Sequence, residues 1–281
     1  MNGAADGRPR VLVVGGHDPS GAGVDADLAA LRGLAVEARA VVTAWTDQDE
    51  RGVRAVGARA CGEWLAEARE AARPRVGALK LGLLPGAEHV AAAAALVLEL
   101  RERDGGALPV VVDPVIAASS GGRFLDAAAV AALARGLLAA GVVATPNLAE
   151  AAELARFAGA AGPGGAAALG GAARLDEARL AADRGARVEA AERLLGLGAR
   201  AVVLKGGHGL EDPALDLVLA AGEPPLWLAH RRIPGAKVRG SGCRFASRLA
   251  AGLALGSSLA VAAAAAGAHV AQVLAERGTG R

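Results

Sequence analysis

Gly240-Ser241-Gly242-Cys243 sets a thiol behind three small residues, with Arg239 just ahead of them. The segment opens an amphipathic pattern that runs to Leu255. Its N–H groups would then sit at a helix N-terminus and form an anion hole suited to a phosphoryl group in transit. A thiol in that first turn is expected to have a lowered pKa and to supply a thiolate as base or nucleophile. A free cysteine packed inertly is the alternative. Gly15-Gly16-His17-Asp18-Pro19-Ser20-Gly21-Ala22-Gly23 is a second glycine-rich turn, followed by Asp25 and Asp27. Glycine permits close backbone approach to a ligand, and Asp27 could accept from a polar ligand edge; an ordinary turn accounts for the same residues. It is neither a Walker loop, since no Gly-Lys-Ser/Thr follows, nor a clean GxGxxG.

Three more places follow apolar runs. Asp113-Pro114 ends Pro109–Val112, where a carboxylate must be solvated, paired or near a metal, or else cap a helix. In Thr145-Pro146-Asn147-Leu148-Ala149-Glu150, Asn147 and Glu150 have capping-box spacing. Their functional alternative sets both beside Asp113, where oxygen ligands could hold Mg²⁺ through water. Lys205-Gly206-Gly207-His208 could bring backbone and a cation to a nucleotide, or be a surface turn.

These segments need elements to position them. Val11–Gly15, Ala40–Ala44, Ala78–Leu84, Val110–Asp113, Val142–Ala144 and Ala201–Leu204 read as strands. Ala26–Leu34, Glu63–Ala72, Ala87–Arg103, Ala127–Ala139, Leu148–Phe157 and Asp176–Leu197 read as helices between them. The alternation predicts an α/β fold, a mostly parallel sheet covered by helices on both faces. Ala214–Leu219 and Leu226–Ala229 read as a strand pair around Gly222–Pro225, and helices Cys243–Leu255 and Ser258–Glu276 follow. Residues 157–174, nearly all Ala, Gly and Pro, read as a flexible surface loop within a single domain over 1–281. In such sheets ligands bind outside the carboxyl ends of the strands, where all these segments fall.

Composition narrows the function classes. Of 281 residues, 53% are hydrophobic and 21% charged, ample for a core, and only 2% are aromatic. Scarce aromatics and a formal charge of +2 spread along the chain argue against nucleic-acid or anionic-membrane partners. The apolar run Val11–Val14 is too short for a signal peptide, and Ala-rich Leu249–Leu274 reads as a buried helix pair, so a cytoplasmic protein is expected. Cys61 and Cys243 are too few for a disulfide framework; Cys61 reads as structural, and His89 and His269 as packed or solvated. HExxH, CxxC and GxSxG are absent.

Taken in order, these motifs resemble the hydroxymethylpyrimidine/phosphomethylpyrimidine kinase family of thiamin biosynthesis, within the ribokinase-like superfamily. The resemblance also rests on Ala26-Asp27-Leu28, Val42-Thr43-Ala44 with Gln48 and Arg51-Gly52-Val53, and Lys80-Leu81-Gly82-Leu83-Leu84. It implies ATP- and Mg²⁺-dependent phosphorylation of a pyrimidine hydroxymethyl group, of the resulting monophosphate, or of both, by a homodimer. It further implies that Gly16, Asp27, Thr46 and Gln48 meet the pyrimidine and that Asp113 and Glu150 organise Mg²⁺. Asn147, Lys205 and Gly207 would face ATP, and Gly240, Ser241, Gly242 and Cys243 would form the anion hole and base. The chain departs from the family's usual pattern at His17, in a first loop one residue short, at Asp49, at Lys237-Val238-Arg239 and at Arg244-Phe245. A pyridoxal or pyridoxine kinase, and a pyrimidine-binding homologue without catalysis, are the alternatives.

Overall fold

Val11, Leu12, Val13 and Val14 are all fully buried, because a strand in the middle of a sheet sends alternate side chains into two cores. Leu12 and Val14 join Trp64, Leu96, Val130 and Leu194 on one face. Val11 and Val13 join Phe245, Leu249, Ala262 and Ala266 on the other. Each such side chain contributes about 1.5–3 kcal/mol by leaving water. The computed structural model describes residues 7–49, 52–118, 121–158 and 175–278.

Chain order begins with β1 (Arg10–Asp18), β2 (Ala22–Gly23), α1 (Val24–Leu31), β3 (Glu37–Asp49) and β4 (Gly52–Ala58). It continues through α2 (Cys61–Ala71), β5 (Ala78–Leu81), α3 (Ala87–Arg103), β6 (Val110–Val112) and α4 (Ala127–Ala132). A π turn and a 3₁₀ turn prolong α4 to Ala140 before β7 (Val143–Ala144) and α5 (Leu148–Leu154). Then come α6 (Glu177–Ala182), α7 (Arg184–Gly196), β8 (Ala201–Leu204), β9 (Ala214–Ala220) and β10 (Leu226–His230). The last helices are α8 (Ser241–Ala254) and α9 (Leu259–Gly278). The sheet runs β10-β9-β8-β7-β6-β5-β1-β3-β4, with β2 beside β1. Its middle is parallel from β3 to β8, and β4, β9 and β10 pair antiparallel at the edges. The expected mostly parallel sheet is therefore present, with helices on both faces.

Three expectations change. The strand expected at Ala40–Ala44 extends to Asp49 and turns back as β4, whose consecutive exposed residues mask its period. The single helix expected over Asp176–Leu197 breaks at Asp183, whose side chain accepts from Gly185 N at 2.7 Å and starts α7. The strand expected to reach Leu84 ends at Leu81. Of the loop expected at 157–174, Phe157 closes a 3₁₀ turn, and 159–174 lie outside the described residues. The expected α8–α9 pair forms with little space between its helices: a Cβ on Gly252 would come within 2.7 Å of Ala262 Cβ. By length and composition α9 could cross a membrane, but its Ala262, Ala263 and Ala266 are buried against the rest of the fold.

Arg187 on α7 is fully buried. It donates to the carbonyls of Leu180 (2.6 Å), Ala181 (3.0 Å) and Leu215 (3.3 Å) and to Glu211 Oε2 (2.7 Å). One guanidinium thus fastens α6 and the 205–211 turn to β9. Arg187→Leu is expected to lower stability by about 3 kcal/mol, the lower end for a broken buried pair because Glu211 keeps some solvent access. Urea unfolding measures this; an unchanged midpoint would remove the fastening role.

Candidate active site

β1, β5, β6, β7 and β8 end on the same edge of the sheet, and α8 starts above that edge. The deepest group there is Lys80 on β5, only 1% exposed. Its ammonium lies 2.9 Å from both carboxylate oxygens of Asp27 on α1, itself fully buried. The Ser247 hydroxyl on α8 donates to Asp27 Oδ1 at 2.7 Å. Burial works against the charge on Lys80, but the Asp27 carboxylate leads the groups that more than reverse it and hold the ammonium above the ordinary lysine range. A neutral Asp27 would strand that ammonium in the core, so the two form an ion pair. Gly82 leaves room beside it: a Cβ there would come 2.8 Å from Lys80 Nζ and push the ammonium aside. Asp27 was expected to face a ligand edge; the structure instead seals it beneath the recess. Lys80 and Ser247 carried no role in the sequence reading. A lysine inside an apolar strand is itself the signal that a carboxylate must meet it.

Lys205, at the end of β8, donates to Asp113 Oδ1 at 2.7 Å, and Asp113 follows β6. The two residues lie against the first turn of α8, where a Cβ on Gly242 would be 3.1 Å from Lys205 Nζ and 3.3 Å from Asp113 Oδ2. Asn147 and Glu150 form the capping box of α5: Asn147 Oδ1 accepts from Glu150 N at 2.9 Å, and Glu150 Oε2 accepts from Asn147 N at 2.8 Å. The box does not exclude the second use. Asn147 forms a parallel bridge with Lys205, and Glu150 is close enough to Asp113 and Lys205 for their charges to act on it. Burial pushes the Glu150 carboxyl up to about 7, Lys205 pulls it down and Asp113 adds to the rise. Hard oxygen donors of this kind fit a hydrated Mg²⁺, and Asp113 and Glu150 would hold it.

Cys243 overturns one expectation. Its place in the first turn of α8 pointed to a lowered pKa, but burial pushes the thiol up to about 12. Lys80 and Lys205 lower it and Asp27 and Asp113 raise it, with burial the leading cause. The resting chain therefore carries a neutral thiol. Cys243 as a whole residue is partly exposed, like Ser241 and Gly242 beside it. Gly240 ahead of it has φ +72°, and a Cβ there would come 2.7 Å from Ala26 Cβ, so the loop packs directly on α1.

Gly16, Thr46 and Gln48 gather on the β1–β3 side, where Thr46 Oγ1 donates to His17 O at 3.3 Å and the Gln48 amide donates to Asp18. Gly207 is exposed, and Arg232 donates to its carbonyl at 2.9 Å and to those of Gly209 and Glu211. A wide recess of about 740 Å³ at the opposite end of β1, lined by Arg8, Arg10, Glu37 and Arg75, holds none of these groups.

A family model described as phosphomethylpyrimidine kinase matches residues 18–162 and 169–280. The chain belongs to the phosphomethylpyrimidine kinase family. It is 37% identical over 269 residues to the hydroxymethylpyrimidine/phosphomethylpyrimidine kinase of Rhizobium meliloti, covering 94% of this chain and 90% of the relative. Identity to the corresponding Streptomyces coelicolor kinase is 35% over 272 residues, with 93% and 87% covered. Among solved structures, the pyridoxal kinase of Staphylococcus aureus with AMP-PCP and pyridoxal superposes with a TM-score of 0.76 at 26% identity, over 94% of this chain and 87% of that one.

The structure gives Arg239, just ahead of α8, a use. It donates to Ser20 Oγ at 2.8 Å and lies 3.7 Å from Asp18 Oδ2. Asp18 in turn accepts from Ser20 N and Ser20 Oγ, at 2.9 and 2.8 Å. Arg239 thus ties the short first loop to the anion loop, a contact between residues 219 apart that no local pattern shows.

Glu150 sets a pH expectation. Between its ordinary value of 4.5 and about 7, the folded chain holds a proton that the unfolded chain has released. Its contribution to stability is therefore present at lower pH and is lost as pH rises through about 7. Glu150→Gln should flatten that part of the urea-midpoint curve between about pH 5 and about pH 8. Parallel curves for variant and parent would show that Glu150 does not titrate there.

Proposed function

We propose that the chain transfers the γ-phosphoryl group of ATP to the hydroxymethyl oxygen of 4-amino-5-hydroxymethyl-2-methylpyrimidine, to the phosphate of the resulting monophosphate, or to both in turn. One observation carries this reading: the first turn of α8 opens directly onto Lys205 and Asp113, with Cys243 in the same turn. Phosphoryl transfer asks for positioning and charge neutralisation more than for covalent chemistry. The N–H groups of Ser241, Gly242 and Cys243 would face the phosphoryl oxygens, and Lys205 would take a share of their charge. A bound Mg²⁺, held by Asp113 and Glu150, would supply Lewis-acid neutralisation of the phosphates. Asn147 has its side-chain oxygen committed to the cap and so offers its amide NH₂ to ATP.

The acceptor side is assigned to Gly16, Thr46 and Gln48, with Asp27 holding Lys80 in place beneath them. In the transfer the acceptor oxygen bonds to phosphorus as the bond to ADP breaks, and Cys243 takes the hydroxyl proton. With the resting thiol near 12, only the small thiolate fraction acts as base at neutral pH. The same framework supports a single kinase domain acting on a small-molecule alcohol. The likeness to a pyridoxal kinase favours pyridoxal as the second candidate acceptor.

A coupled ADP-release assay with the pyrimidine alcohol, its monophosphate and pyridoxal side by side tests the reading. Turnover is expected with a pyrimidine substrate; preference for pyridoxal selects the second reading, and no turnover by folded protein removes both. Cys243→Ala is expected to lower kcat by about 10²- to 10⁴-fold with little change in KM. For the parent, log kcat should climb with pH from about 7 to about 9, as the thiolate fraction grows, and Cys243→Asp should abolish that climb. An unchanged rate in Cys243→Ala would make the thiol mere packing.

A further inference from the structure

Away from these residues, Cys61, Glu88 and His89 meet where α2 and α3 begin. One ligand atom from each lies within 4.8 Å of the others. His89 is only 2% exposed, and its Nε2 is 2.8 Å from the carbonyl oxygen of Arg59. A carbonyl only accepts, so Nε2 carries the proton and Nδ1 presents a lone pair. That Nδ1 is buried and has no hydrogen-bond partner; Glu88 Oε1 stands 3.7 Å away. The ring cannot easily turn to relieve it, because it stacks on Trp64 at 6.3 Å and 15°. A buried bare acceptor is costly unless something occupies it.

We infer that Cys61 Sγ, Glu88 Oε1 and His89 Nδ1 form a binding site for Zn²⁺ or a similar borderline-soft divalent ion, with solvent as the fourth ligand. A histidine that donates its second ring N–H to a backbone carbonyl is the usual arrangement of a metal-bound imidazole. Zinc bonds of about 2.0–2.3 Å in tetrahedral geometry set ligand atoms about 3.5 Å apart; Glu88 Oε1 and His89 Nδ1 are 3.7 Å apart, and Cys61 lies within 4.8 Å of both. Sulfur, nitrogen and a single carboxylate oxygen select zinc over magnesium. The half-buried Cys61 and exposed Glu88 leave the ion a path from solvent. Bound there, it clips the start of α2 to the start of α3, beside the strand end that Arg59 follows.

The test is titration of the metal-free full chain with Co²⁺, read by the thiolate-to-cobalt charge-transfer absorption and by its loss on adding Zn²⁺. One equivalent is expected to give the band, and Zn²⁺ is expected to raise Tm. Cys61→Ala should abolish both signals. Glu88→Gln, at an exposed position that leaves the core intact, should weaken binding by about tenfold or more. A folded parent with no band, a band that survives Cys61→Ala, an unchanged affinity in Glu88→Gln, or a band lost only in Cys243→Ala would each overturn the site.

Discussion

The arrangement at the carboxyl edge depends on two lysines already matched by two aspartates. Lys80 answers Asp27 and Lys205 answers Asp113, so the recess is close to neutral before any ligand enters. Further anions then meet a low-dielectric site with its cations engaged, and the two remaining acids respond accordingly. Glu150 is pushed up to about 7 and the Cys243 thiol to about 12, burial leading in both cases. A polyphosphate bound as proposed would face the same constraint, and a divalent cation would relieve it. The helix N-terminus contributes without adding a titratable charge.

Much of this frame was legible in the chain. Apolar runs ending in Asp113, Thr145 and Lys205 marked the carboxyl edge of a parallel sheet, and the spacing of Asn147 and Glu150 announced a capping box that the structure contains. β4 escaped because it is an edge strand: the consecutive exposed pairs Arg54–Ala55 and Gly57–Ala58 erase the alternation that reveals a half-buried strand. The break at Asp183 escaped because helix periodicity persists across it, while a side chain capping the next turn stops the first helix.

The site itself was harder to read than its scaffold, for one physical reason. Each important pairing joins segments remote in sequence, 53 residues apart for Lys80 with Asp27 and 220 for Ser247 with Asp27. Local pattern announces that a buried charge needs a partner without naming it. The thiol illustrates the cost of local reading: a helix start alone argues for a thiolate, whereas the surrounding burial keeps the proton on sulfur. Arg239 shows the converse, since a residue that looked like a loss of chemistry joins the two glycine-rich loops.

Ser247 lies one helical turn beyond Cys243 on α8, and its hydroxyl is bonded to the sealed Asp27. That bond works as an anchor bolt: α8 cannot slide along its axis or roll without tearing a hydroxyl from a carboxylate in a dry interior. Any shift of α8 as a body would have to break that bond, so the helix is tied to α1 at its own first turns through Asp27.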